Sequence, residues 1–233
     1  MIRRLIPILL SALTVLCCGR PGVKGFWNRH EISFSDIRAA EDQFADFAEL
    51  ASAAPEAESL AELDALFDRL RSDPVLYYTY SDWMDDAFYS ILSPCRNVAL
   101  FTEAVDRIVS DGILDMIECE PFLQQREWIQ YNQAGQTFTI PGVSSISERT
   151  LVLVLDLSCP SCRKALSKLA DAPEWAGIRR IAIGCGQGPD PGIPGWDYLF
   201  PEHAETVFDI RTTPVFFVVA PDGTVEIPYT PAL

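Results

Sequence analysis

The sequence predicts an all-α domain over residues 31–135 followed by an α/β domain, built on a central mixed sheet, over residues 136–233. Three observations carry this. Apolar residues recur every three or four positions between 37 and 132, the period of amphipathic helices. Short apolar runs of strand length then take over, at 151–157, 180–184 and 212–219. Between the first two of these runs, Cys159-Pro160-Ser161-Cys162 opens a helical stretch at 163–172.

The chain opens on Arg3 and Arg4, an apolar run over 5–16, and Cys17-Cys18-Gly19. That run is too short to cross a bilayer, which takes about 20 residues. The pattern fits a secretory signal, residues 1–17, to be set aside from fold reasoning. Its ending, Val15-Leu16-Cys17 before Cys18, resembles a bacterial lipobox. The resemblance implies a lipid on Cys18, with cleavage before Cys17 or an ordinary signal peptide as the other readings. Several acyl chains together give stable anchoring. Residues 18–30 then read as a tether, part of it packed through Phe26 and Trp27.

Helices follow in order. Ser35 caps a helix whose apolar face carries Ile37, Ala40, Phe44, Phe47, Leu50 and Ala51, and Pro55 ends it. Ser59 opens a second, broken at Asp73-Pro74. The third, 75–92, bears an aromatic stripe of Tyr77, Tyr78, Tyr80, Trp83, Phe88 and Tyr89, which reads as core or as a peptide groove. A fourth spans 97–110 up to Asp111-Gly112, and a fifth spans 114–132 with an interruption at Pro121. Ser93-Pro94-Cys95-Arg96-Asn97, Leu114-Asp115 and residues 124–132 resemble a helical module of unassigned function in Gram-negative lipoproteins. Cys95 stands where that module has methionine.

With 233 residues and 48% hydrophobic content, both domains can bury a core. The net charge is −15, and loss of residues 1–17 leaves 16 basic against 33 acidic residues, or −17. Such acidity without a basic block argues against nucleic acid and anionic membrane surfaces as partners. No phosphate-binding glycine loop and no catalytic serine motif is present, and His30 and His203 are the only histidines, so no cofactor is expected.

Cys159 would sit at a helix N-terminus, where unpaired N–H groups and the helix dipole favour thiolate over thiol. The thiolate is the nucleophile, and a second thiol one turn on is placed to resolve a mixed disulfide. Half of a zinc knuckle has the same spacing, so the pair alone leaves a metal or structural role open. The wider order is more telling: strand, Cys-x-x-Cys helix, strand, then Thr213-Pro214 before a strand and Pro221-Asp222-Gly223 before another. In this order the chain resembles the thioredoxin-like superfamily over residues 136–233, and most of all its exported, membrane-anchored TlpA-type members. The resemblance implies that Cys159 attacks, Cys162 resolves and the Thr213–Pro214 peptide is cis, facing the pair. Pro160, Ser161, Thr213, Pro214 and Trp196 would then contact a disulfide-bearing protein or peptide. A membrane or periplasmic donor would supply electrons.

Departures from the TlpA pattern stand beside the likeness. Ser158 replaces the aromatic that often precedes the first cysteine, and Ala165 stands where relatives can carry a glutamate. Arg163 and Lys164 add positive charge near the pair. Asp156 reads as a proton acceptor or as a solvent-facing strand end, and Cys185 as a third redox thiol or an inert one. Cys95 and Cys119 read as buried thiols or as a bridge. Residues 136–142, with their Phe138-Thr139 pair, are expected as added N-terminal strands. After the strand at 224–229 the usual last helix is missing, so the helical domain or another subunit is expected to cover one sheet face. The function expected is that of a thiol–disulfide oxidoreductase, a reductase by family likeness, lipid-anchored on the periplasmic side of a membrane or at the outer membrane of a Gram-negative bacterium. The alternatives are a non-catalytic binding or assembly lipoprotein, and a copper carrier using Cys159, Cys162 and His203.

Overall fold

The computed structural model describes residues 22–32, 35–141, 146–185 and 192–232. The expected signal sequence and Cys18 lie outside the described residues.

The stretch expected as a tether is packed from Val23 onward. Helix α1, Phe26–Arg29, buries Phe26 and Trp27 in the helical core. The buried Glu62 carboxylate accepts the N–H groups of Gly25 and Trp27, and the Arg69 guanidinium donates to the Trp27 carbonyl. Helix α2 is Ile37–Ala53, and its cap is Asp36 rather than Ser35: the carboxylate accepts from the Arg38 and Ala39 N–H groups at 3.1 and 3.2 Å. Helix α3, Glu56–Leu70, begins three residues before Ser59. That hydroxyl instead donates to the Ala51 carbonyl at 2.7 Å, clasping α3 to α2.

Asp73 caps α4, Pro74–Met84, which continues through a π-helical turn, Asp85–Tyr89. Tyr77, Tyr80, Phe88 and Tyr89 from this stripe are core, while Tyr78 is exposed. Asn97 caps α5, Val98–Asp111, and Gly112 ends it in the left-handed conformation that costs glycine least. Helix α6, Met116–Trp128, starts with a reciprocal Asp115–Glu118 capping box and runs through Pro121 unbroken. The carbonyl that Pro121 leaves without its usual donor belongs to Ile117, an exposed residue. None of the described helices is long and apolar enough to cross a membrane.

The second domain is a five-stranded mixed sheet in the order β3-β2-β1-β4-β5. Its strands are β1 Thr150–Asp156, β2 Arg179–Cys185, β3 Asp197–Leu199, β4 Val215–Val219 and β5 Val225–Pro231. β1, β2 and β3 run parallel, while β4 and β5 are antiparallel to their neighbours. β1 is the centre, buried on both faces, as its unbroken apolar run requires. Leu151, Leu153 and Leu155 face α7, Pro160–Asp171, whereas Val152 and Val154 face the opposite side with Ile183, Phe217 and Val219.

One strand-level expectation changes. Residues 135–138 form one bridge, Thr137 to Thr224, rather than added strands; Gly135 N–H donates to the Val225 carbonyl at 2.9 Å and Phe138 N–H to Gly223 at 2.8 Å. Sheet cover is split between the two faces. Among the described residues, the face opposite α7 has no long helix of the sheet domain and is closed by Phe138, Phe208, Tyr229 and the helical domain, which contributes Ile91. On the α7 face, Phe216 of β4 and Ile227 of the edge strand β5 are half-buried, with Trp175 edge-on to Phe216 at 5.8 Å.

Candidate active site

β1 ends at Asp156, and after three intervening residues α7 begins at Pro160. The Asp156 carboxylate accepts both the N–H and the hydroxyl of Ser158, at 2.8 and 2.7 Å, and its carbonyl accepts the Cys159 N–H at 3.1 Å. This tight turn delivers Cys159 to the N-cap of α7, with Pro160 in the first helical turn, where a missing N–H costs nothing. Asp156 therefore builds the turn. Ser158 is part of the same device.

The two sulfurs live in different surroundings. Cys159 is half-exposed, flanked by exposed Pro160 and Ser161. Its thiol is held below the ordinary value, first by the Cys162 backbone N–H, then by the Cys162 thiol and the N–H and hydroxyl of Ser161. These donors stabilise the anion, as helix N-termini do. Arg163 and Lys164 are exposed and are not among the chief influences, contrary to the expectation from sequence. Cys162 is wholly buried on the inner face of α7, and burial pushes its thiol up to about 11, with the Cys159 sulfur adding to the rise. One half-exposed thiol that ionises more readily therefore neighbours one buried, reluctant thiol.

The opposing wall is the turn before β4. Thr213–Pro214 is cis, Pro214 is buried, and the Thr213 hydroxyl donates to the Ile210 carbonyl at 2.9 Å; the Thr213 side chain is among the groups that act on the Cys162 thiol, which sets this turn beside the pair. Thr213 N–H is turned inward to the Ile210 carbonyl at 3.4 Å, so it is not presented to a substrate.

One expected substrate contact is corrected. Trp196 is buried against α7, its indole N–H donating to the Leu166 carbonyl at 3.3 Å, so it braces the helix rather than meeting a substrate. Cys185 is buried on the face opposite α7, packed with Ala204 and Val207; burial pushes its thiol up to about 12, and this is the inert reading. Cys95 and Cys119 are free thiols in the helical core, and Cys159, Cys162 and Cys185 are free thiols in the sheet domain. For the copper reading, His203 is exposed and pairs with Glu205 at 3.3 Å; among the described residues, no three His, Cys, Asp or Glu side chains cluster to hold a metal ion.

Sequence reasoning passed over Asp209, which is 2% exposed and organises the turn ahead of Thr213. The Asp-x-Arg-Thr run at 209–212 carries a turn-capping signal that could have marked it.

A thioredoxin-like fold, with two cysteines at the N-terminus of the central helix and a cis-proline beside them, is thus the class that the chain's topology and site define. A solved structure of a thioredoxin-like protein from Bacteroides caccae is similar to it, with a TM-score of 0.67 at 15% identity over 90% of this chain and 87% of the other. A likeness of that extent takes in helical residues as well as the sheet. No family model matches the sequence, and no curated protein does.

Proposed function

We propose that this protein is a thiol–disulfide oxidoreductase of the TlpA type, acting as a reductase on protein or peptide disulfides. The observation that carries the reading is the contrast between Cys159, half-exposed with its thiol held down, and Cys162, buried with its thiol held up. The Cys159 thiolate attacks one sulfur of a substrate disulfide, forming a mixed disulfide and releasing the other sulfur as a thiolate. Cys162 then loses its proton and attacks the Cys159 sulfur, closing the Cys159–Cys162 disulfide and freeing the second substrate sulfur. The substrate gains two electrons, and the protein loses two. A membrane-bound or periplasmic dithiol donor returns them.

Pro160 and Ser161, exposed beside Cys159, and Thr213 and Pro214 in the turn before β4 are the residues that would contact the substrate chain. Export, lipidation at Cys18 and a place on the periplasmic side of a Gram-negative membrane complete the proposal, supported by the sequence of residues 1–19. In an oxidising compartment only a dedicated donor keeps such a pair reduced.

The test is Cys162→Ser in the full chain, expressed with its export signal. Covalent adducts that dissolve in reductant and vanish when Cys159 is also replaced are the expected result. A folded variant that captures nothing through Cys159 would replace this reading with that of a non-catalytic binding scaffold.

A further inference from the structure

We propose that Phe200 and the cationic outer face of α7 form the substrate-docking surface of this site, and that they select disulfides flanked by apolar and acidic side chains. The inference deepens the oxidoreductase reading and rests on it. Phe200 follows β3 and is 51% exposed, yet two devices hold it in place. Its ring stacks on Tyr198, with 6.5 Å between centroids and planes 8° apart. Against it lies Gly184 of β2, where a Cβ would meet Phe200 Cε1 at 2.7 Å and Leu157 Cδ2 at 3.0 Å. Gly184 is not in the left-handed region, so this glycine supplies room for the ring rather than a turn. Leu157 belongs to the turn that delivers Cys159, and both pack in the cluster under α7. An exposed aromatic ring is thus fixed beside the nucleophile's turn.

The second observation is electrostatic. Arg163, Lys164 and Lys168 are exposed, and none has an ion-pair partner among the described residues. Lys168, in the last turn, gains from the helix C-terminus, but the other two do not. Arg163 lies at the end of a first turn that holds no acid, where the dipole favours carboxylates. Lys164 stands four positions from Lys168, a like-charge spacing that weakens a helix. Nor do these cations tune the pair, because donors of Cys162 and Ser161 hold the Cys159 thiol down. Charges that neither support their helix nor set the thiol are left to meet a partner. The Asp156 carboxylate, which precedes the pair, is engaged by Ser158.

The chain as a whole is strongly acidic and repels an acidic partner at long range. Screening decides which field a docked segment feels. At about 0.15 M salt, exposed charges act over about 8 Å. Arg163 donates its N–H to the Cys159 carbonyl at 3.4 Å, one turn along the helix, and Lys164 follows it. At about 1.5 Å per residue, the two stand about 6 and 8 Å from Cys159 along the axis. For a segment held at Cys159 these cations therefore outweigh the distant acids, and they favour carboxylates. Phe200 favours an apolar neighbour.

The test uses the reduced full chain and two synthetic peptides, Glu-Leu-Cys-Leu-Glu and Lys-Leu-Cys-Leu-Lys, each with its cysteine in a disulfide to thiopyridine. The Cys159 thiolate bonds to the peptide sulfur, and thiopyridine leaves with the electron pair of the broken bond, read by its absorbance. Cys162 then closes on Cys159 and frees the peptide thiol. A Cys159→Ser protein records the reactions of the other thiols. At about 0.15 M salt the acidic peptide should react about tenfold faster than the basic one. The ratio should fall towards one at about 1 M salt, where charges act over about 3 Å. Arg163→Gln, Lys164→Gln and Lys168→Gln together should bring it to within about twofold of one at the lower salt. In Phe200→Ser, the acidic-peptide rate divided by the rate with neutral dithiodipyridine should drop about fivefold. Equal rates for the two peptides, a ratio that survives the triple variant, or an unchanged quotient in Phe200→Ser would overturn the docking surface. A parent protein that never frees the peptide thiol would overturn the oxidoreductase reading itself, whatever the relative rates of the peptides.

Discussion

The two active-site thiols should be told apart by their reactivity with pH. Burial raises Cys162 from the ordinary thiol value of 9.0 to about 11. At pH 7 an ordinary thiol is roughly 1% thiolate and Cys162 roughly 0.01%, a hundredfold deficit from ionisation alone. Complete burial withholds it further. Cys159 moves the other way, held down chiefly by the Cys162 N–H, and it is half-exposed. Reduced protein treated briefly with iodoacetamide at pH 7 and mapped by mass spectrometry should therefore carry label on Cys159 at least a hundredfold ahead of Cys162. Cys185, raised to about 12 by burial, should stay unlabelled, and the buried Cys119 should lag. The midpoint of the Cys159 rate against pH should fall below 9. A midpoint at or above 9, or comparable labelling of Cys159 and Cys162 at pH 7, would refute the idea that α7 stabilises a thiolate.

Two further outcomes concern stability. Burial, with some help from Asp86, raises Asp85 from 3.8 to about 6, against the Gln125 hydrogen bond that lowers it. A carboxyl whose folded value lies above its unfolded one destabilises the fold as pH rises from about 4 to about 6, and fully above that. Asp85→Asn should thus be about 1–2 kcal/mol more stable than the parent at pH 7 by urea denaturation, the full two-unit shift being an upper bound for a partly exposed group. The gain should vanish near pH 3, where both states are protonated; a loss of stability at pH 7 would count against it. Trp27→Ala should cost about 3–5 kcal/mol, because the ring is fully buried, 5.0 Å from Phe47 and edge-on to Tyr80 at 6.0 Å. A change within about 0.5 kcal/mol, as at a free surface position, would instead make residues 22–30 a loose tether.

What could be read from sequence depended on how far apart the cooperating residues lie. The Cys-x-x-Cys pair was legible because strand end, N-cap and nucleophile fall within a few consecutive positions, and one physical rule joins them. The helices were legible by period, but their starts slipped: Asp36 outcompetes Ser35 as a cap, and Ser59 spends its hydroxyl on Ala51 in the neighbouring helix. Trp196 misled because a tryptophan near a site looks the same in sequence whether it meets solvent or braces α7. The way the helical domain sits on the sheet had no local signature. Apolar interfaces advertise themselves by periodic side chains, whereas this one is fixed in part by polar partners chosen across the whole chain, Tyr89 for Asp209 and Trp128 for the Glu205 carbonyl. A buried carboxylate must find donors or its desolvation goes uncompensated. Asp209 takes one from each domain, from Tyr89 and from Arg211, so the turn that carries Thr213 gains its full set of partners only when the two domains meet.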